Sequence, residues 1–190
     1  MKHLEQWLIK KNKYTKYQVK QIIYLVKALN SELSKIMIMI ILFRNDLVAY
    51  FVALTTLFFL RSFSGGLHLN TYIGCFSVTI TYFFLAIKVL PSIPVPFAIK
   101  VILLLMCMIM FSRLTPVTSK YRPPLSKPKI IICQNITITF TFLYTIILYI
   151  IPDSPYITVG FWIIILHLLQ LLTAKILLMY KHRKGGASIC

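Results

Sequence analysis

His68 and Cys75 lie seven residues apart in the stretch Arg61-Ser-Phe-Ser-Gly-Gly-Leu-His68-Leu-Asn-Thr-Tyr-Ile-Gly-Cys75. A thiol and an imidazole are the minimum pair for cysteine-nucleophile chemistry, in which the imidazole takes the thiol proton and the thiolate attacks a carbonyl. On one continuous helix the two residues would share a face but stand about 10.5 Å apart in rise. Proton transfer needs heavy atoms at ~3 Å, or one bridging water. A break in the helix removes the conflict. Gly65 and Gly66 free the backbone just before His68, and Asn70 and Thr71 are good N-cap residues. The spacing therefore predicts a helix starting near residue 71, with Cys75 in its second turn and His68 on a loop folding back over it. A helix N-terminus and a nearby cation such as Arg61 both favour a thiolate. Candidate oxyanion donors are the Arg61 side chain and backbone N–H groups near Gly74 and Cys75. The stretch has no Asp or Glu to orient His68, which leaves Asn70, Ser62 or Ser64, or a two-residue site. The same residues also admit a plainer reading, an interfacial Gly-Gly-His turn beside which Cys75 merely packs.

The elements that must position these residues are membrane helices. Of the 190 residues, 58% are hydrophobic and 13% charged, and the mean hydropathy is +0.81. Soluble domains carry roughly 25% charged residues, so an integral membrane protein is expected. The net charge of +17 would suggest nucleic acid in a soluble protein. Here the basic residues sit between apolar runs, and nucleic acid is not an expected partner. No two of the four cysteines are close enough for a CxxC motif, so neither a metal nor a cofactor is expected. Cys107 and Cys133 fall inside apolar runs and read as small buried hydrophobes.

The expected fold is all-α. An N-terminal amphipathic helix, with lysines interleaved among Leu4, Trp7, Ile22 and Leu25, precedes a polytopic transmembrane bundle of about six segments. These run approximately over 33–43, 47–60, 72–90, 94–111, 130–151 and 156–179. The first pair is short or re-entrant, and the first segment extends backward through Ile22. Arg44-Asn45-Asp46, Pro91–Pro96 and Pro152–Pro155 interrupt the apolar pattern. Residues 1–190 read as one membrane domain, with an amphipathic helix over 1–32, the bundle over 33–179 and a basic tail over 180–190. With six spans, the eight lysines up to residue 35, Arg61, the five cations between 113 and 129 and the three of the tail fall on one side. By the positive-inside rule both termini and the 61–71 loop are cytoplasmic.

Three further groups stand out. Lys120, Arg122, Lys127 and Lys129 sit in a proline-rich loop and read either as headgroup contacts or as a dock for an acidic substrate tail. His167 and Gln170 lie one turn apart in an apolar helix, an arrangement suited to hydrogen bonding within the bundle. Gln134, Asn135, Thr137, Thr139 and Thr141 give the fifth segment a polar stripe, suited to an interhelical or subunit seam or to a cavity wall. A small peptide exporter using such stripes is the rival reading from another class. The only acids are Glu5, Glu32, Asp46 and Asp153, all at ends or turns, whereas a pump usually needs buried carboxylates.

Arg61-x4-Gly-Gly-x-His68-x6-Cys75 resembles the active-site motif of the accessory gene regulator B family, with Gly66, His68 and Cys75 at matching positions. The Pro- and Lys-rich stretch Thr115–Pro128 is similar to the family's loop between the fourth and fifth segments, and length and segment order agree along nearly the whole chain. The resemblance implies a bacterial membrane cysteine endopeptidase that processes a quorum-sensing pro-peptide. Cys75 and His68 would be catalytic, with Arg61, Gly66, Asn70 and Ser64 in support. The implied partners are a short precursor with an acidic C-terminal region, membrane lipids and a second copy of the chain. The implied products include a thiolactone or lactone macrocycle.

Overall fold

The computed structural model describes residues 16–66, 71–114, 116, 125–152 and 154–183. Among these residues every regular element is helical, as expected. The chain divides into two compact units, residues 1–44 and 45–190.

In the first unit, α1 spans Lys16–Leu42. No Gly or Pro interrupts these 27 residues, so nothing breaks the hydrogen-bond ladder. From Lys16 onward the amphipathic stretch and the first apolar segment are thus one helix, running without a break past residue 32. Lys35 Nζ donates to Glu32 Oε1 at 2.7 Å, one turn along the same helix. Every 18-residue stretch of α1 holds at least three charged residues. A turn of 3-10 helix, Arg44–Asp46, follows.

The second unit contains five helices: α2 over Leu47–Ser64, α3 over Tyr72–Phe84, α4 over Phe97–Arg113, α5 over Lys127–Ile150 and α6 over Pro155–Arg183. The third is prolonged by a π-helical turn, Leu85–Val89, and a 3-10 turn, Leu90–Ser92. The cause is Pro91, which has no N–H to return to the Ile87 carbonyl and clashes with it in a regular helix. Four of the described helical segments are long and apolar enough to cross a membrane: Arg44–Ser64, Tyr72–Ser92, Lys127–Ile150 and Pro155–Tyr180. The fourth helix, with 17 residues, is shorter. Among the described residues, six helices therefore occupy the six expected segments.

The hub of this unit is α6, which lies along α2 and α4 and also touches α5, α3 and the π-helical turn, while α4 packs along α5. The core joins Leu60 of α2 with Leu104, Cys107 and Phe111 of α4, Tyr144 and Leu148 of α5, and Phe161, Ile164 and Leu171 of α6. The outward faces are also apolar. Ile102, Met106, Ile109, Phe142, Ile150 and Ile176 are all exposed. An apolar exterior over an apolar core is the pattern of a chain solvated by lipid.

One end of the bundle is closed by polar contacts between helices. Lys88, in the π-helical turn, forms an ion pair with Asp46. Lys100 Nζ of α4 donates to Thr158 Oγ1 of α6 at 3.3 Å. Tyr144 Oη of α5 donates to the Ile157 carbonyl of α6 at 2.6 Å. Its ring lies over Gly160, where an added Cβ would come within 2.8 Å of Tyr144 Cζ.

Candidate active site

The other end of the bundle carries the residues singled out by their chemistry. Helix α2 stops because Gly65 takes a φ of 76° and ψ of −153°, a conformation essentially confined to glycine. Its N–H closes the helix on the Arg61 carbonyl at 3.1 Å. Helix α3 begins at Tyr72 with Thr71 as its N-cap, in extended conformation. Gly74 N–H donates to Thr71 Oγ1 at 3.2 Å, and Cys75 N–H donates to the Thr71 carbonyl at 3.1 Å. The residues around the candidate pair are thus not on one continuous helix, and Thr71 is the cap that residue type suggested. Cys75 is the fourth residue of α3, at the end of its first turn rather than in its second. Its side chain is half-buried. His68 and Asn70 lie outside the described residues, as does the expected fold-back of His68 onto Cys75.

The supporting candidates separate. Arg61 is in the last turn of α2 and folds against Gly66, where an added Cβ would stand 2.9 Å from Arg61 Nε. Glycine at 66 therefore leaves room for the guanidinium. Gly74 and Cys75 N–H both serve the helix cap. Of the oxyanion donors suggested by sequence, Arg61 is the one whose donors lie on a side chain. Ser64 is turned inward and buried, with Oγ 2.6 Å from the Leu60 carbonyl and 2.6 Å from His167 Nε2. Ser62 Oγ donates to the Phe58 carbonyl at 2.7 Å, leaving its lone pairs to accept. The partner of His167 was not legible in sequence, since 103 residues separate it from Ser64.

Helices α4 and α5 close on this same end. Gln134 Nε2 donates to the carbonyls of Ser112 and Leu114 at 3.1 and 2.9 Å, satisfying two of the acceptors that a helix C-terminus leaves open. A small pocket lies beside it, with Ser64, Phe111, Leu114, Cys133 and Leu171 in its wall. Cys133, expected to be a packed apolar residue, is half-buried and lines that pocket. Cys107 is buried as expected.

The polar stripe of α5 divides. Thr137 and Thr141 are buried, and their hydroxyls donate to the carbonyls of Cys133 and Thr137, each at 2.9 Å. Asn135 and Thr139 face outward. Of the basic loop, Lys120 and Arg122 lie outside the described residues. Lys127 and Lys129 are exposed in the first turn of α5, and Arg113 is exposed in the last turn of α4. Lysines at a helix N-terminus add to the positive end of the helix dipole rather than neutralise it. That concentrates positive potential at the loop end.

Among the described residues no group of three or more His, Cys, Asp or Glu could hold a metal ion. No curated protein and no solved structure matches the chain. The family model of Accessory gene regulator B matches residues 1–173, from the N-terminus through α6 past His167. The chain belongs to the accessory gene regulator B family.

Proposed function

We propose that this protein is an integral membrane cysteine endopeptidase that cleaves an autoinducing-peptide precursor and closes its N-terminal fragment into a ring. Membership of the family links the chain to processing of accessory gene regulator quorum-sensing peptides, and its apolar helices make it a membrane protein. The observation that carries the finer reading is the break between Ser64 and Tyr72. It separates the Gly-Gly-x-His stretch from a helix whose first turn bears Cys75.

In the proposed reaction His68 takes the proton from Cys75 Sγ, and the thiolate attacks one peptide carbonyl of the precursor. Arg61 supplies N–H donors to the tetrahedral oxyanion. The C–N bond breaks, His68 returns the proton to the leaving amine, and the N-terminal fragment stays as a thioester on Cys75. A cysteine thiol or serine hydroxyl of that fragment then attacks the thioester, giving the (thio)lactone and regenerating the Cys75 thiol. Exclusion of water protects the thioester from hydrolysis, and a site at the rim of an apolar bundle suits that need. Lys127 and Lys129, with Lys120 and Arg122, receive the precursor's acidic C-terminal region. The distribution of basic residues supports a cytoplasmic site with both termini on the same side. Action as a homodimer is part of the same reading.

Co-expression with a candidate precursor tests it. Wild type should cleave, and Cys75→Ala and His68→Ala should not. A hydroxylamine-sensitive adduct on Cys75 should be trapped from the wild type. Cleavage that persists in Cys75→Ala would sink the assignment.

A further inference from the structure

His167 is fully buried in the middle of an apolar helix, and the proposed chemistry leaves it without a task. Its hydrogen bonding fixes its tautomer. Ser64 Oγ carries one proton and faces two groups at 2.6 Å, the Leu60 carbonyl and His167 Nε2. A carbonyl can only accept. Were the proton given to His167, two oxygens would face each other at that distance with no hydrogen between them. Ser64 therefore donates to Leu60, and His167 Nε2–H donates to Ser64. With its proton on Nε2, His167 donates to Ser64 rather than acting as its base. Nδ1 is then a buried acceptor with no well-formed hydrogen bond, although the buried Gln170 side chain lies close enough to interact with the ring.

A buried acceptor without a well-formed hydrogen bond is costly. An apolar ring in the same space would avoid the cost, and Ser64 would keep its bond to Leu60. Imidazole at this position is thus not what the stability of α6 asks for. What it adds is a fixed link from α6 to the last residue of α2. Arg61 lies one turn before that residue and the Gly65–Gly66 exit immediately after it. Gly65 has no side chain to anchor this end. Helix α6 also touches α3, the helix whose first turn bears Cys75.

We propose that His167 is a positioning residue. Through Ser64 it holds the last turn of α2, and with it Arg61 and the Gly-Gly exit, in register with the start of α3. The inference rests on Cys75 being the nucleophile and concerns the alignment of that site, not substrate binding.

The test measures precursor cleavage by the full-length protein in liposomes, with kcat and KM obtained separately. The variants are His167→Phe, His167→Gln, Ser64→Ala, the Ser64→Ala/His167→Phe pair and Cys75→Ala. His167→Phe should lower kcat roughly 10- to 100-fold, the scale of a small misalignment. KM should stay near wild type and the thermal midpoint in detergent should not fall. His167→Gln, whose amide nitrogen reaches the place of Nε2, should recover most of the rate. Ser64→Ala should lose a similar factor, and the double variant should be no worse than either single change. Wild-type kcat in both His167→Phe and Ser64→Ala, or losses that multiply in the double variant, overturns the inference. So does a loss of rate that follows a loss of folded protein in His167→Gln. Activity in Cys75→Ala removes the assigned reaction and this inference with it. An inactive Cys75→Ala beside a fully active His167→Phe and Ser64→Ala removes the inference alone.

Discussion

The two ends of the 45–190 unit use polar groups in opposite ways. At the Asp46 end, polar contacts join one helix to another: Asp46 with Lys88, Lys100 with Thr158, Tyr144 with the Ile157 carbonyl. At the Arg61 end, a glycine is held at positive φ, and exposed lysines sit where the helix dipole is already positive. The first end has the features of a clamp. The second tolerates local cost, which is how functional sites differ from structural ones.

Substitutions at each end should therefore separate stability from activity. The largest effect on stability is expected at Gly160. Gly160→Val drives a branched side chain into the Tyr144 ring and should cost about 1–3 kcal/mol, seen as a lower thermal midpoint in detergent. An unchanged midpoint would mean that α5 and α6 are not as close as described. Next is Gly66→Ala, whose added methyl would stand nearest the Arg61 side chain, 2.9 Å from Nε. It should leave the midpoint intact and lower the rate of precursor cleavage roughly tenfold, since misplacing one oxyanion donor by a fraction of an ångström weakens a bond made in the transition state. A loss of stability with normal cleavage would reverse the contrast between the ends. Lys127→Glu with Lys129→Glu should raise KM for an acidic-tailed precursor about threefold to tenfold at low salt, an effect that fades as ionic strength rises. Equal KM values at all salt concentrations would leave these lysines to lipid headgroups alone. The smallest effect is expected for Asp46→Asn. The ion pair with Lys88 is partly exposed, so its loss should cost less than about 1 kcal/mol and leave cleavage untouched.

Much of this architecture was legible in the sequence because apolar runs and proline or charge breaks act locally. The ends of α2, α4, α5 and α6 follow Gly65, Pro96, Pro128 and Pro155, and Thr71 caps α3 as its side chain allows. The π-helical turn was not legible, because Pro91 announces an interruption but not how the ladder will absorb it. The continuity of α1 through residue 32 was read only as an extension through Ile22, since its lysines obscure the apolar pattern. For the candidate site, sequence supplied the residue types and the need for a break. It could not supply the Ser64–His167 bond, because no local pattern pairs residues on helices so far apart in the chain. It also put Cys133 among packed residues, since a run of isoleucines looks the same whether or not a pocket lies beside it.

The shortness of α4 has a consequence for the surrounding lipid. Hydrogen bonds tie it to the first turn of α6 at one end and, at the other, to Gln134, two turns into α5, and it stands beside helices of 24 and 29 residues. Seventeen residues make about 26 Å of helix, against a hydrocarbon layer of about 30 Å. Lipids beside α4 must thin, or the bundle must tilt toward that flank, and either adjustment carries a modest cost per ångström of mismatch. Acyl-chain length thus enters the energetics of this protein through one helix. A thicker bilayer pulls hardest on the two connections, near Lys100 and Gln134, that hold that helix in place.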